Sequence, residues 1–199
     1  MNKKILVVVD YQNDFADPSG SLYVHQGEVI ADNIQSHINS GKYDSIVYTM
    51  DSHISEEYNV SKEADMFPPH CEYGTPGWNL FKIEPINKEL DSMMKKKRMP
   101  KDVQIGNEFV FVKDKFDVWE ANPAYKKFVS SFSKDTEFYI CGVAMNYCVA
   151  SNALGYKEIG YENVFIIPSA TKGILDDTYE PSIQKMIDNG INFLGWTNG

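Results

Sequence analysis

The sequence predicts an α/β fold with a doubly wound, mostly parallel six-stranded sheet and helices on both of its faces. Two observations lead to this prediction. Apolar runs of strand length alternate along the chain with windows of helical periodicity, and the first run, residues 5–9 (ILVVV), is apolar at every position. A continuous apolar run is typical of a strand that is covered on both faces. Strands that alternate with helices favour parallel pairing through crossover connections.

The elements follow in order along the chain. Strands are predicted from β-branched and aromatic runs at residues 5–9, 45–49, 109–112, 138–141, 164–167 and 192–194. Helices are predicted at residues 29–38, 85–94, 146–157 and 181–188. Pro85 favours a helix start, because its fixed φ suits the first helical turn. Since no repeat or linker divides the chain, we expect a single domain over residues 1–199.

The composition excludes several classes of function. The 19 Lys+Arg against 28 Asp+Glu give a formal net charge of −9, which disfavours nucleic-acid binding. Arg98 is the only arginine, and a site for a dianion would ordinarily use arginine, so a neutral substrate is expected. No apolar stretch suits a membrane helix or a signal-peptide core, which predicts a cytoplasmic protein without membrane contact. Three cysteines, an odd number, make a disulfide framework improbable.

Residues 51–80 interrupt the alternation and are rich in proline and glycine. A loop of this length inside a compact domain is usually functional. Asp51 and His53 are two residues apart, so they point to one side of an extended segment, and His70 follows a stiff Pro-Pro pair. One carboxylate and two imidazoles suit Zn²⁺, Fe²⁺ or Mn²⁺. Spacing this loose also occurs without a metal, which leaves the site a hypothesis at this point.

Three further residues stand where predicted strands end or a helix begins. Asp10 follows the first strand, Lys113 follows the third, and Cys148 lies at the start of the helix after Cys141. In open α/β sheets the carboxyl ends of the strands border the ligand crevice. A helix N-terminus lowers a thiol pKa and offers free N–H groups, which makes Cys148 the candidate nucleophile. Taken singly, each residue also has an ordinary structural interpretation: a capping aspartate, a surface lysine and a buried thiol.

Together these motifs resemble the nicotinamidase and isochorismatase-like cysteine hydrolase family, and within it the nicotinamidase branch. The similar segments span nearly the whole chain: residues 6–15 (LVVVDYQNDF), 20–22 (GSL), 51–53 (DSH), 68–77 (PPHCEYGTPG), Lys113, and 141–144 (CGVA) with Cys148. The resemblance implies a triad of Asp10, Lys113 and Cys148. It also implies a metal held by Asp51, His53 and His70, the group that separates nicotinamidases from isochorismatases.

The resemblance further implies hydrolysis of nicotinamide to nicotinate and ammonia through a thioester, a step of NAD salvage. Asp10 would take the thiol proton, Lys113 would stabilise the charged pair, and the N–H groups of Ala144 and Cys148 would hold the oxyanion, with a cis peptide before Ala144. One divalent metal ion, zinc first with iron or manganese as alternatives, would bind the pyridine nitrogen. Phe15 and Phe67 would pack on the ring, and a homo-oligomer is left open.

The chain departs from the family pattern at the metal site. Many members have a third histidine between the positions of His53 and His70, and this chain has none there. We expect Glu63 to replace it, with Asn59, Glu57 or water as alternatives.

Two departures concern the substrate pocket, since Asn146 and Phe67 stand where many members have aspartate and tryptophan. Alternative functions are another amidohydrolase or isochorismatase-like hydrolase acting on a different small substrate, an inactive binding protein, and a redox-sensitive thiol at Cys148. The intact Asp10 and Lys113 disfavour the last two.

Overall fold

The computed structural model of the chain describes residues 2–95 and 102–195. Within these ranges seven strands form one sheet in the order β3-β4-β2-β1-β5-β6-β7. The strands are β1 (Lys4–Val9), β2 (Ser45–Asp51), β3 (Val103–Ile105), β4 (Glu108–Lys113), β5 (Glu137–Gly142), β6 (Val164–Thr171) and β7 (Asn192–Phe193). All neighbouring pairs are parallel except β3 and β4. The predicted doubly wound, mostly parallel sheet is therefore confirmed.

The sheet has one strand more than the six that the sequence predicted. β3 is the additional strand, and it pairs antiparallel with β4, so that Ile105 lies opposite Glu108. Gly106 lies between them with a φ of +61°, which suits a tight hairpin turn. β3 has only three residues, none of them buried, so it lacks the continuous apolar run by which the other strands were recognised.

Eight α-helices lie in the described parts of the chain. They are α1 (Asn13–Ala16), α2 (Ala31–Ile38), α3 (Ser55–Tyr58), α4 (Lys88–Lys95), α5 (Val118–Ala121), α6 (Pro123–Ser130), α7 (Ala150–Glu158) and α8 (Tyr179–Asp188). The four predicted windows correspond to α2, α4, α7 and α8, and a π-helical turn, Met145–Val149, precedes α7. None of the helices in the described residues is both long enough and apolar enough to cross a bilayer.

The sequence analysis missed α5 and α6, which connect β4 to β5. Asn122 caps α6, since its Oδ1 accepts hydrogen bonds from the N–H groups of Ala124 (3.0 Å) and Tyr125 (3.1 Å). Pro123 occupies the first helical position. Asparagine followed by proline is a recognised helix-start signal, so these helices were within reach of the sequence.

Both faces of the sheet are covered by apolar side chains. Leu6 and Val8 of β1 pack into one cluster with residues of α2 and α4, whereas Ile5, Val7 and Val9 pack into another with residues of α6, α7 and α8. All five side chains are 0% exposed. Burial of each stabilises the fold by about 2 kcal/mol. The apolar run at residues 5–9 therefore reflects a central strand that is buried from both sides.

The order of the strands changes direction at β1: the strands that follow it up to β4 lie on one side, and the strands from β5 onward lie on the other. β2 lies on one side of β1 and β5 on the other, and β4 extends the first side. A crevice opens outside the carboxyl ends of the strands at such a switch point. Asp10, Asp51 and Lys113 stand at the carboxyl ends of β1, β2 and β4, and the π-helical turn with Cys148 follows β5.

Candidate active site

Asp10 directly follows the central strand and is fully buried. Its φ is +46°, a left-handed conformation that non-glycine residues adopt rarely and that is common at functional sites. Its Oδ1 accepts a hydrogen bond from Thr49 Oγ1 (2.7 Å), and its Oδ2 lies 2.8 Å from Lys113 Nζ. Burial raises the pKa of Asp10, and the nearby Lys113 charge offsets this only in part. The carboxylate is therefore a stronger proton acceptor than an exposed aspartate.

Lys113 connects the two groups of predicted site residues. Its Nζ lies 3.1 Å from Asp51 Oδ1 and 3.7 Å from Cys148 Sγ, in addition to its contact with Asp10. Burial alone would lower the pKa of Lys113, but Asp10 and Asp51 raise it well above its ordinary value. The ammonium group is thus charged and shared between Asp10, Asp51 and the thiol.

Cys148 lies within the π-helical turn and is 8% exposed. We expected the helix N-terminus to lower its pKa. Burial instead raises the pKa of the thiol well above its ordinary value, Lys113 lowers it only in part, and Asp10 and Asp51 raise it further. The protonated thiol is therefore the resting form, and it needs a base during attack. Cys71 and Cys141 are also free and buried.

The chain turns sharply between β5 and Cys148. The Val143–Ala144 peptide is cis, as the resemblance implied, and Gly142 has a φ of +110°. A Cβ at Gly142 would lie 2.1 Å from Val9 O, so only glycine fits there. Ala144 and Cys148 line the same cleft. Cys148 also lies in the first turn of a helical segment, where N–H groups have no preceding carbonyl partner and can bind an oxyanion.

Four buried side chains with metal-binding atoms meet beside this turn. Ligand atoms of Asp51, His53, Glu63 and His70 all lie within 4.8 Å of one another. Asp51 Oδ2 is 3.1 Å from His70 Nε2 and 3.3 Å from His53 Nε2, and Glu63 Oε1 is 3.8 Å from His70 Nε2. The structure therefore brings together the four residues proposed as ligands. Asn59 and Glu57, the alternatives to Glu63, are exposed.

Neighbouring groups orient these ligand atoms. His70 Nδ1 lies 2.7 Å from Pro68 O, an oxygen that can only accept, so Nδ1 holds the proton and Nε2 faces the cluster. Tyr58 packs edge-on against both imidazole rings, at centroid distances of 4.6 Å from His53 and 5.4 Å from His70. Its hydroxyl donates to Phe67 O (2.9 Å), which fixes the loop that holds His70.

Gln12 is a supporting residue that the sequence analysis missed. Its Nε2 donates to Asp51 O (2.8 Å) and Trp78 O (2.8 Å), and its Oε1 accepts from Asp51 N (2.7 Å). These bonds connect β1, the end of β2 and the long segment at residues 51–80. Gln12 lies within the motif at residues 6–15, but nothing in the pattern indicated its contacts.

The cluster fits a divalent cation. His53 Nε2 is buried and has no hydrogen-bond partner among the described residues, although it lies 3.3 Å from Asp51 Oδ2. Burial raises the pKa of Asp51, but Lys113 and the two histidines hold that pKa well below its ordinary value. Burial and Asp51 raise the pKa of Glu63. Two carboxylates and two imidazoles form a donor set that suits Zn²⁺, Fe²⁺ or Mn²⁺.

The thiol and three of the four clustered side chains, Asp51, Glu63 and His70, border one cleft. It is lined by Phe15, Leu22, Val24, Asp51, Glu63, Phe67, His70, Phe116, Ala144, Tyr147, Cys148 and Ile174. Phe15 and Phe67, the predicted ring-packing residues, have ring centroids 5.3 and 6.4 Å from that of His70. Phe116, Tyr147 and Ile174 were missed. Tyr147 adjoins Cys148 and Phe116 follows Lys113 by three residues, so proximity to site residues was their only signal.

Comparisons with known proteins agree with this geometry. The isochorismatase domain model matches residues 96–197. The Saccharomyces cerevisiae nicotinamidase is 28% identical over 87% of this chain and 90% of its own length. The crystal structure of Pyrococcus horikoshii pyrazinamidase in complex with zinc is 26% identical, with a TM-score of 0.74 over 98% of this chain and 99% of that one. PnC1 from L. infantum, solved in complex with nicotinate, has the same fold, with 22% identity and a TM-score of 0.75 over 97% of this chain and 92% of that one.

Proposed function

Since the chain belongs to the isochorismatase domain family, we propose that it hydrolyses nicotinamide to nicotinate and ammonia, as a metal-assisted cysteine amidohydrolase. The observation that most supports this is the shared Lys113 ammonium, which lies 2.8 Å from Asp10 Oδ2, 3.1 Å from Asp51 Oδ1 and 3.7 Å from Cys148 Sγ. Cys148, beside its buried base Asp10, borders the same cleft as Asp51, Glu63 and His70 of the ligand cluster. The similarity to a nicotinamidase and to a zinc-bound pyrazinamidase supports the same activity.

The first half of the reaction forms a thioester. Cys148 attacks the carboxamide carbon while its proton passes to Asp10, because the buried thiol is protonated at rest. The carbonyl oxygen becomes an oxyanion, which the N–H groups of Ala144 and Cys148 stabilise. As the C–N bond breaks, Asp10 returns the proton to the departing nitrogen and ammonia leaves. Lys113 keeps its charge throughout and stabilises whichever of Asp10 or Cys148 is anionic.

The second half hydrolyses the thioester. Asp10, again ionised, takes a proton from water, whose oxygen attacks the acyl carbon. The C–S bond breaks, Asp10 returns this proton to the sulfur, and nicotinic acid leaves and gives its remaining acid proton to solvent to become nicotinate. One carboxylate thus acts as base and acid in both halves, a role for which its raised pKa suits it.

Asp51, His53, Glu63 and His70 would hold the metal ion, with zinc as the first candidate. Bound there, the ion would offer a binding point for the pyridine nitrogen. Phe15 and Phe67 pack beside His70 on the cleft wall and would contact the ring.

The charges of the cleft favour a neutral substrate. Among the described residues that line it there is no lysine or arginine, and Asp51 and Glu63 are acidic. A dianionic substrate would find no lysine or arginine on the cleft wall to pair with, which disfavours the isochorismatase alternative. We also expect the enzyme to act as a single domain in the cytoplasm without nucleic-acid or membrane partners, and a homo-oligomer remains open.

Ammonia release from nicotinamide tests the proposal. The zinc-loaded protein should release ammonia and nicotinate in equal amounts, and Cys148→Ala should lower kcat by roughly 10³-fold or more. Cys141→Ala is the matched control, because it makes the same change at a buried strand thiol outside the cleft. No release by the parent protein would contradict the activity, and equal release by Cys148→Ala would contradict the nucleophile.

A further inference from the structure

The segment at residues 172–178, which follows β6, forms one wall of the cleft through Ile174. Asn146, which is 6% exposed, binds this wall segment with its whole side-chain amide. Its Nδ2 donates to Ile174 O (3.0 Å), Asp176 Oδ1 (3.1 Å) and Thr178 Oγ1 (2.7 Å). Its Oδ1 accepts from Ile174 N (3.0 Å). The Asn146 side chain thus forms hydrogen bonds with both the backbone N–H and the backbone carbonyl of Ile174, a residue that lines the cleft.

Tyr147 makes a second connection to the same segment. Its hydroxyl donates to Asp176 Oδ2 (2.7 Å), while its ring lines the cleft and packs on Phe67 at a centroid distance of 5.5 Å. Asp176 therefore accepts hydrogen bonds from both residues that precede Cys148. The wall and the turn that holds the nucleophile are thereby coupled.

We propose that Asn146 is a positioning residue whose amide holds Ile174, and through Asp176 the ring of Tyr147, as the wall that confines the substrate beside Cys148. This inference rests on the proposed function. In this chain, where the side chain faces Asp176 as well as Ile174, it must donate and accept at once. A carboxylate could accept from Ile174 N, but it could not donate, and it would face the Asp176 carboxylate and the Ile174 carbonyl oxygen.

Gly173 provides the room for this arrangement. A Cβ at this position would lie 2.9 Å from Asn146 Oδ1 and 2.6 Å from Cε2 of Tyr179. The wall segment therefore packs directly on the Asn146 amide, and a larger residue would separate them.

Asn146 bonds to the wall and not to the groups that react. Its side-chain bonds go to Ile174, Asp176 and Thr178, whereas Asp10, Lys113 and Cys148 bond with one another. Loss of the amide should therefore loosen the fit of the substrate more than it slows the chemistry. A higher KM with a nearly retained kcat is the expected signature.

The Asn146→Asp variant tests this inference, since it keeps the size of the side chain and one acceptor. With zinc-loaded protein and nicotinamide, KM should rise about tenfold while kcat stays within about threefold. Amide hydrogen exchange over residues 172–178 should accelerate, a readout that does not depend on turnover. Adding Asp176→Asn to Asn146→Asp should recover part of both effects, because the new amide can donate to the new carboxylate.

Asn163→Asp is the matched control. Among the described residues its Nδ2 donates only to Asp135 O (3.2 Å), at the opposite end of β6 from the cleft, so KM and exchange should not change. If Asn146→Asp does not fold, Tyr147→Phe keeps the ring, removes the hydroxyl's bond to Asp176 and should raise KM about threefold. An unchanged KM or unchanged exchange in the folded variant overturns the inference. A parent protein that releases no ammonia contradicts the proposed function, whereas a variant that matches an active parent contradicts this inference alone.

Discussion

The two halves of the candidate site are built in different ways. Asp10 and Lys113 stand at the ends of β1 and β4, and Cys148 follows β5, so the sheet itself sets their separation. His53, Glu63 and His70 lie instead in the irregular segment at residues 51–80, and side-chain bonds from Gln12 and Tyr58 hold that region in place. The reactive groups are thus positioned by the ends of the buried central strands. Apart from Asp51, the ligand cluster lies in a segment that contains only short helical turns.

One contact joins the two halves. Asp51 at the end of β2 pairs in register with Lys113 at the end of β4, so the carboxylate of the cluster meets the ammonium of the triad. Mutations should therefore separate the reactive groups from the binding groups, except at this contact. We therefore expect changes at the contact to affect both halves, and changes elsewhere to affect only one.

The Lys113→Met variant should have the largest effect, because it removes the cation shared by both halves. Asp10 and Asp51 would be left as buried carboxylates without a counter-charge, which should lower the free energy of unfolding by about 3–5 kcal/mol. Turnover and metal retention should both be lost. Urea unfolding, ammonia release and elemental analysis measure these effects. Lys115→Met is the control, since its exposed pair with Glu120 should contribute little. Equal stability of the two variants would contradict the shared role of Lys113.

The Asp10→Asn variant should impair the reactive half of the site and leave the ligand half intact. Removal of the base should lower kcat by roughly 10³-fold, while the zinc content stays that of the parent, because Asp10 is not among the four clustered ligands. His53→Ala is the counterpart and should lose zinc first. Stopped-flow ammonia assays and elemental analysis on the same samples distinguish the two. Loss of zinc from Asp10→Asn would show that the halves are not separable.

The difference between the halves also explains what the sequence could predict. Strand ends are readable because apolar β-branched runs mark the strands, so Asp10 and Lys113 were placed from pattern alone. Glu63 was proposed only through the family resemblance, since nothing in an irregular segment shows which of its carboxylates turns inward. β3 was missed because a three-residue edge strand has no apolar run.

Burial in the tertiary structure also limited what could be predicted from the sequence. Helix position suggested a lowered pKa for Cys148, but the packing around the thiol, which raises its pKa, is invisible in the sequence. Asn146 was noted only as a departure from the family pattern. Its four hydrogen bonds to residues 174–178 depend on a contact across 28 or more positions of sequence.

Glu63→Gln tests the ligand half alone. It should weaken zinc affinity by roughly 10–100-fold, because an amide oxygen is a poorer donor than a carboxylate, while kcat at saturating zinc falls much less. Competition with a fluorescent chelator measures the affinity. Glu57→Gln is the matched control, since Glu57 is exposed and lies in the same segment. If the two variants retain zinc equally, Glu63 is not a ligand, and Asn59 or water takes its place.

The smallest effect is expected from Thr49→Val, which changes the triad without removing any of its members. Thr49 Oγ1 donates to Asp10 Oδ1 (2.7 Å), a bond that lowers the pKa of Asp10 against the raising effect of burial. Asp10 must be ionised to act as a base, so kcat/KM should fall as the pH drops through the pKa of this group, which lies above the ordinary aspartate value. Loss of the hydroxyl removes stabilisation of the ionised form. The acid limb of the pH profile, where kcat/KM falls as the pH drops, should therefore shift to a higher pH by about 1 unit. Zinc affinity should stay that of the parent protein. A limb that stays in place or moves down would mean that a group other than Asp10 sets the pH dependence.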